Sequence, residues 1–146
     1  MVLGTERTSF EAQGPMLLEA LCRDAGEPIR LPLTDDDVIR SDWAPLLPML
    51  TDGTLKPRER AENFHASMAA ALVDQALEIR RRCGIGTVGL TGGVLQNRVL
   101  ADRAVELLEE NGFDARLPAL LPCNDAALCY GQAVEVAARS AVAQRS

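Results

Sequence analysis

The chain is predicted to fold as an α/β lobe in which helices outnumber strands, and three stretches of sequence carry that expectation. The run Thr87–Thr91 is apolar, meets the pair Gly92-Gly93 and passes directly into an amphipathic segment ending at Glu110. Gly112 and the short apolar run Ala115–Leu117 then complete a β-α-β unit. Upstream, Ala61, Phe64, Met68, Leu72 and Ile79 recur at helical spacing, with Ala71 and Ala76 beside them. Downstream, Pro122-Cys123-Asn124-Asp125-Ala126-Ala127 forms a second apolar-to-polar junction leading into a final helix.

The elements follow in order. Residues 1–10 read as a short strand or an irregular entry. Met16, Leu17, Ala20 and Leu21 share one face of a helix over Gln13–Asp24, ended by Gly26 and Pro28. Ile29–Leu33 alternates like an edge strand, where Pro32 is tolerated, and Thr34–Asp37 is a turn. Asp42 is placed to cap a short helix through Trp43, Leu46, Leu47 and Leu50 that closes at Gly53. The longest helix runs from Pro57, whose missing N–H costs little in a first turn, to Arg82, with Gly84 as its stop. Ala69, Ala70 and Ala71 give it a smooth surface for close packing. A helix over Val94–Glu110 and a linker over Pro118–Pro122 precede a last helix from Asp125 to about Ser140. The whole chain, 1–146, reads as a single domain, with 141–146 as a flexible tail.

Bulk composition narrows the function. The 146 residues, 47% of them apolar, suffice for one core. With 21 acidic and 15 basic residues, a net charge of −6 and 3% aromatic content, the chain is not built to bind nucleic acid. Arg80-Arg81-Arg82 falls at a helix C-terminus, where it complements the dipole. Cys22, Cys83, Cys123 and Cys129 form no CxxC pair and His65 is the single histidine, so ordinary zinc spacing is missing. Small buried thiols are the expected role of those cysteines. No apolar stretch approaches the ~20 residues of a membrane span, and no signal-peptide core opens the chain. A soluble, cytoplasmic protein is expected.

Two junctions carry the candidate chemistry. A strand that stops at Gly92-Gly93 and becomes a helix is either an ordinary α/β turn or a place where backbone N–H groups meet a phosphate. Gln96 and Asn97 are expected in the first turns of that helix, offering amide groups. The turn lacks the Lys-Ser/Thr of a P-loop and the G-x-G-x-x-G of a dinucleotide site. At the second junction, Asn124 or Asp125 is a helix cap, or Asp125 reaches a metal or ligand. His65 reads as a packing histidine bonded to backbone, with a catalytic role as the alternative.

Taken together, FHASMAAALVDQAL, VGLTGGVLQNRVLADRAVELLEENGFDARLP and PCNDAALCYGQA resemble the C-terminal end of the carbamoyltransferase HypF family of hydrogenase maturation. SFEAQGPMLLEAL is similar to that family's YEGQAAMELEAL segment. The resemblance spans about residues 8–138. It implies the C-terminal lobe of an actin-like ATPase (ribonuclease H-like) fold, a mixed sheet flanked by helices, shared with TobZ-type O-carbamoyltransferases and TsaD-type tRNA threonylcarbamoyl transferases. It further implies transfer of a carbamoyl group, carried as carbamoyl-adenylate made from ATP, to the C-terminal cysteine of a HypE-like acceptor. That step belongs to cyanide-ligand synthesis for [NiFe]-hydrogenase.

In residue terms the resemblance implies nucleotide contacts from Glu11, Gly92, Gly93 and Asn97, and a divalent metal ligand in Asp125. The chain departs from the family pattern in having no H-x-x-x-H pair for the other metal ligands. Three glycine positions of the family are filled by Ala12, Ala126 and Ala127. The acylphosphatase, zinc-finger and YrdC-like modules are also absent. The expected state is therefore a lobe inactive alone, dependent on the remaining HypF domains and prone to self-association through an uncovered apolar face. The alternatives are a non-catalytic nucleotide-binding or interaction module, and a sugar-kinase-like C-terminal lobe.

Overall fold

In a computed structural model, residues 2–4, 7–34 and 38–143 are described, with side chains to Ser140. The helices are α1 (Gln13–Leu21), α2 (Leu46–Thr51), α3 (Pro57–Cys83), α4 (Arg98–Glu110) and α5 (Leu128–Ala143). The strands are β1 (Thr87–Gly89) and β2 (Asp114–Arg116), with 3-10 turns at Gly93–Gln96 and Asp125–Ala127.

The expected β-α-β unit forms. Strands β1 and β2 pair in parallel, Thr87 opposite Asp114 and Gly89 opposite Arg116, and Leu90 N–H extends the ladder to Arg116 O at 2.8 Å. Among the described residues the sheet is this parallel pair, and with the helices around it the chain has the α/β architecture expected. The edge strand over Ile29–Leu33 is replaced. Only a single antiparallel bridge, Leu33 to Ser41, is made there, with Asp42 N–H donating to Pro32 O at 2.8 Å.

The stretch 23–29 finds its hydrogen bonds elsewhere. The backbone N–H groups of Arg23 and Asp24 donate to Glu62 Oε1 at 2.9 and 3.0 Å. Glu27 N–H donates to Asn63 Oδ1 at 2.8 Å and Ile29 N–H to Ser67 Oγ at 2.8 Å. Polar side chains of α3 thus serve as the neighbouring strand, which explains why Glu62 and Ser67 are buried. The segment lies so close that a Cβ on Gly26 would sit 2.2 Å from the Glu62 carbonyl carbon.

Helix α3 begins with half of a capping box, Glu59 Oε2 accepting from Lys56 N–H at 2.8 Å, with Pro57 at the first helical position. It ends on Gly84 at φ 71°, whose N–H donates to Arg80 O. Its arginines are engaged. Arg80 lies over the Phe113 ring at 4.0 Å, and Arg81 and Arg82 pair with Glu78. Those two guanidinium groups hold the Glu78 carboxyl down at about 2.

Both flanks of α3 are buried. One packs Ala69, Val73 and Ala76 against Leu90, Leu95, Phe113 and the Ala101, Ala104 and Leu108 face of α4. The other packs Ala71 against Leu31, Leu46 and Met49, with Phe64 and Met68 alongside. The alanine triplet is therefore split between two cores, and Ile79 from the expected stripe is exposed.

Several boundaries move. Helix α1 stops at Leu21 rather than Asp24, because the chain turns extended at Cys22 to reach Glu62. Its apolar stripe is largely exposed at Met16 and Leu17. Asp42 caps a turn through Ala44 N–H, and α2 starts later, at Leu46. Entry residues 2–4 and 7–10 are irregular. The turn at Thr34–Asp37 falls mostly outside the described residues, as does 144–146 of the tail, while 141–143 continue α5. Cys83 and Cys129 are exposed rather than buried, and all four thiols are free. No helix of the described residues is long and apolar enough to cross a membrane.

Three tests follow from this packing. Gly26→Ala is expected to destabilise the chain by about 3 kcal/mol or more in chemical denaturation, because backbone rather than a flexible side chain blocks the methyl. Ala12 is held at φ 65°. Since this left-handed conformation strains any residue with a Cβ, Ala12→Gly should raise stability by about 0.5–1 kcal/mol. Burial pushes the Glu62 carboxyl up, but Arg58 and the backbone N–H groups of Arg23 and Asp24 outweigh it and leave it below 4.5. Its stabilisation is therefore complete above that value and lost as pH falls through the depressed one. An acid titration of stability should be flatter below pH 4.5 for Glu62→Gln, which should also be weaker than the parent at neutral pH.

Candidate functional site

The two junctions meet. Gly92 N–H donates to Cys123 O at 2.6 Å, and the Thr91 hydroxyl donates to the same carbonyl at 3.3 Å. Gly92 stands at φ 109°, ψ 154°, a region that only glycine enters at low cost. Gly93 differs. Its φ is not positive, and a Cβ there would meet only Asn124 Cβ, at 4.0 Å. Gly92 is thus explained by backbone conformation, whereas Gly93 presents a bare face to open space.

The turn does not run straight into a helix. Gly93–Gln96 is a 3-10 turn, and α4 starts at Arg98 with Asn97 as its N-cap, Oδ1 accepting from Leu100 N–H at 3.0 Å. Gln96 and Asn97 therefore precede the helix instead of lying within its first turns. Because α4 starts at Arg98, the Leu100 N–H has no carbonyl one turn back, and the asparagine oxygen supplies its acceptor. The end of α4 is further occupied by Glu19 of α1, whose Oε1 accepts from Arg98 N–H at 2.8 Å. A carboxylate of the chain itself is the anion at this helix N-terminus.

Asn97 also reaches His65, its Nδ2 lying 2.7 Å from Nε2 of the ring. His65 is 3% exposed, with Nδ1 2.8 Å from Ala61 O and 3.4 Å from Cys22 Sγ. The packing role expected of His65 is thus present, bonded to backbone. Burial, with the Glu62 and Glu19 charges, pushes the Cys22 thiol up, which keeps it protonated near Leu18 O at 3.6 Å. Cys22, His65 and Glu62 line a cleft of about 400 Å³ together with Asp102 and Arg103 of α4.

Glu11 is exposed on the turn before α1. The link from that end of the chain runs through Glu19 to the start of α4 at Arg98, a contact that sequence reasoning passed over. Asp125 is exposed at the start of its 3-10 turn, and the capping oxygen is that of Asn124, accepting from Ala126 N–H at 3.2 Å. The described residues contain no group of three His, Cys, Asp or Glu side chains able to hold a metal. A metal therefore does not fit this chain's residues alone, and Asp125 can supply at most one carboxylate. The His65–Asn97 bond, too, went unforeseen, since its partners lie 32 residues apart with no shared motif.

Beyond this site, Leu117, Leu120, Leu128, Tyr130, Val134 and Val136 are exposed over the last linker and α5. Helix α5 is exposed from Leu128 to Ser140.

Comparison with known proteins agrees with this geometry. The family model "Carbamoyltransferase, Kae1-like Domain, second subdomain" matches residues 1–132. The chain is 34% identical to carbamoyltransferase HypF of Rhodobacter capsulatus over 133 residues, covering 91% of this chain and 17% of that protein. It is 33% identical to a carbamoyltransferase HypF homolog of Cupriavidus necator, covering 94% of this chain and 37% of the relative. A crystal structure of full-length HypF in a phosphate- and nucleotide-bound form superposes with a TM-score of 0.82 at 29% identity, over 91% of this chain and 18% of that one. The chain spans about one-sixth of the length of the first of these relatives. With its glycine turn, its β-α-β unit and nearly its whole length matched, the chain belongs to the carbamoyltransferase HypF family, as the second subdomain of the Kae1-like domain.

Proposed function

We propose that this lobe supplies one wall of the nucleotide site of a HypF-type carbamoyltransferase. The carbamoyl group, carried as carbamoyl-adenylate made from ATP, passes to the C-terminal cysteine thiolate of a HypE-like acceptor in [NiFe]-hydrogenase maturation. The sulfur attacks the carbamoyl carbon, the carbon–oxygen bond to the nucleotide phosphate breaks, and AMP leaves. The observation that carries the reading is Gly93, where neither backbone conformation nor packing within the chain calls for a glycine. A close-approaching ligand does call for one.

The remaining assignments follow the family resemblance. Gly92 keeps the turn closed on Cys123, so that Gly93 and Asn124 face the same opening. Asn97 adds an amide, and Glu11 an exposed carboxylate for ribose or neighbouring groups. Asp125 is one ligand of a divalent metal whose others come from the preceding part of the domain. With Glu19 on the end of α4, the nucleotide phosphates do not sit on that helix terminus but along the turn before it. The exposed apolar side chains of α5 and its linker are the surface on which the remaining HypF domains pack, the lobe being inactive without them.

A second reading is a non-catalytic nucleotide-binding or interaction module. It is favoured by the lack of a metal-holding group among the described residues and by the added methyls of Ala126 and Ala127. Grafting this chain in place of the matching segment of the Rhodobacter capsulatus relative separates the two. Carbamoyl transfer to the acceptor cysteine by the chimera is expected. A folded chimera that still binds ATP but transfers nothing would establish the second reading. Within the active chimera, Gly93→Ala should leave stability within about 0.5 kcal/mol and raise the KM for ATP at least about tenfold. An unchanged KM would remove the turn from the site.

A further inference from the structure

We propose that His65 is a positioning residue for this wall: it fixes the orientation of the Asn97 amide and, through it, the joint between the glycine turn and α4. The inference rests on the nucleotide reading of the turn only for its catalytic consequence, since the positioning itself is a property of the free chain.

Two independent constraints give the ring the same tautomer. Nδ1 lies 2.8 Å from Ala61 O, and a carbonyl only accepts, so Nδ1 carries the proton. At the other end, Asn97 Oδ1 is committed to Leu100 N–H at 3.0 Å, which turns the NH2 group toward the ring. Nε2, 2.7 Å away, must therefore be the bare acceptor. Each end of this relay is tied to helix backbone, α3 at Ala61 and α4 at Leu100. The ring is 3% exposed, so water cannot replace either partner.

Asn97 is also the hinge of the turn. Its N–H donates to Val94 O at 3.2 Å, its C=O accepts from Ala101 N–H at 2.9 Å, and Leu95 N–H returns to Gly92 O at 3.0 Å. With the His65 acceptor gone, the Asn97 amide keeps only its Leu100 anchor, and the joint between the 3-10 turn and α4 loses its hydrogen-bonded tie to α3, leaving the packing of Leu95. A histidine that merely fills space would need neither the tautomer nor the asparagine.

Two near-isosteres separate these roles. Asn in place of His65 retains a group at the Nδ1 position and lacks one at Nε2, whereas Gln places an amide oxygen near Nε2. In nitrogen-detected spectra of the 146-residue chain, His65 should show protonated Nδ1 and bare Nε2 at neutral pH. His65→Asn should shift the Asn97 side-chain amide and the Gly92 and Gly93 backbone amides, and His65→Gln should restore them. A protonated Nε2, or glycine amides unmoved in His65→Asn, would overturn the proposal without any nucleotide being present. In the chimera, His65→Asn should raise the KM for ATP at least about fivefold with kcat changed less than about twofold, and His65→Gln should recover most of it. If Gly93→Ala raises KM and His65→Asn does not, positioning fails while the nucleotide reading stands. If the spectra behave as expected and neither variant moves KM, the nucleotide reading fails and the positioning role is confirmed as purely conformational.

Discussion

Helix α3 is buried along both flanks, and nearly everything else in the lobe takes its place from that constraint. An ordinary surface helix turns one stripe inward and leaves the opposite face to water. Here one flank carries alanines close enough for α4 to pack against, and the other carries Ala71 toward α2 and the segment around Leu31. Between the two lies a strip of Glu62, Asn63 and Ser67 that accepts backbone hydrogen bonds from residues 23–29. A helix so enclosed cannot shift along its axis without breaking a core on each side. That makes it a rigid reference for whatever it touches, including His65 one turn beyond Glu62.

What was legible in the sequence were features with local causes. Gly84 and Gly112 end helices because each adopts positive φ, and Pro57 opens one because its nitrogen has no hydrogen to waste. The β-α-β unit could be read from apolar runs set between such signals. What was not legible depended on partners distant in sequence. Ile29–Leu33 alternates as a strand should, yet its neighbours donate to side chains of α3, and alternation cannot tell a strand from a segment laid on a helix. Asn97 looked like a first-turn residue because the apolar pattern runs on through Val94 and Leu95. The 3-10 turn hidden there shares the same pattern and differs only in where the cap falls.

The candidate site shows the same division. Gly92 and Gly93 were visible as a pair, but only the structure distinguishes their reasons: one is held at φ 109°, while the other faces open space. The two junctions, read separately in the sequence, are joined in the structure by the 2.6 Å bond from Gly92 N–H to Cys123 O. The choice between Asn124 and Asp125 as cap came down to one oxygen, and its settlement on Asn124 leaves the aspartate side chain exposed. At Ala12 the chain keeps the backbone conformation of a glycine under an alanine side chain, so the local strain is accepted rather than relieved by a change of path.

The parallel pair β1–β2 has a consequence for how this lobe exists in solution. Two parallel strands are the smallest sheet, and such sheets are ordinarily found sandwiched within larger ones. Their outer edges offer donors and acceptors in register for another strand to continue. Among the described residues the ladder has only two members, so any strand added at an edge would contribute hydrogen bonds that the pair alone does not make. A strand bound there would raise the measured stability with its own free concentration, so stability and partner concentration would have to be read together.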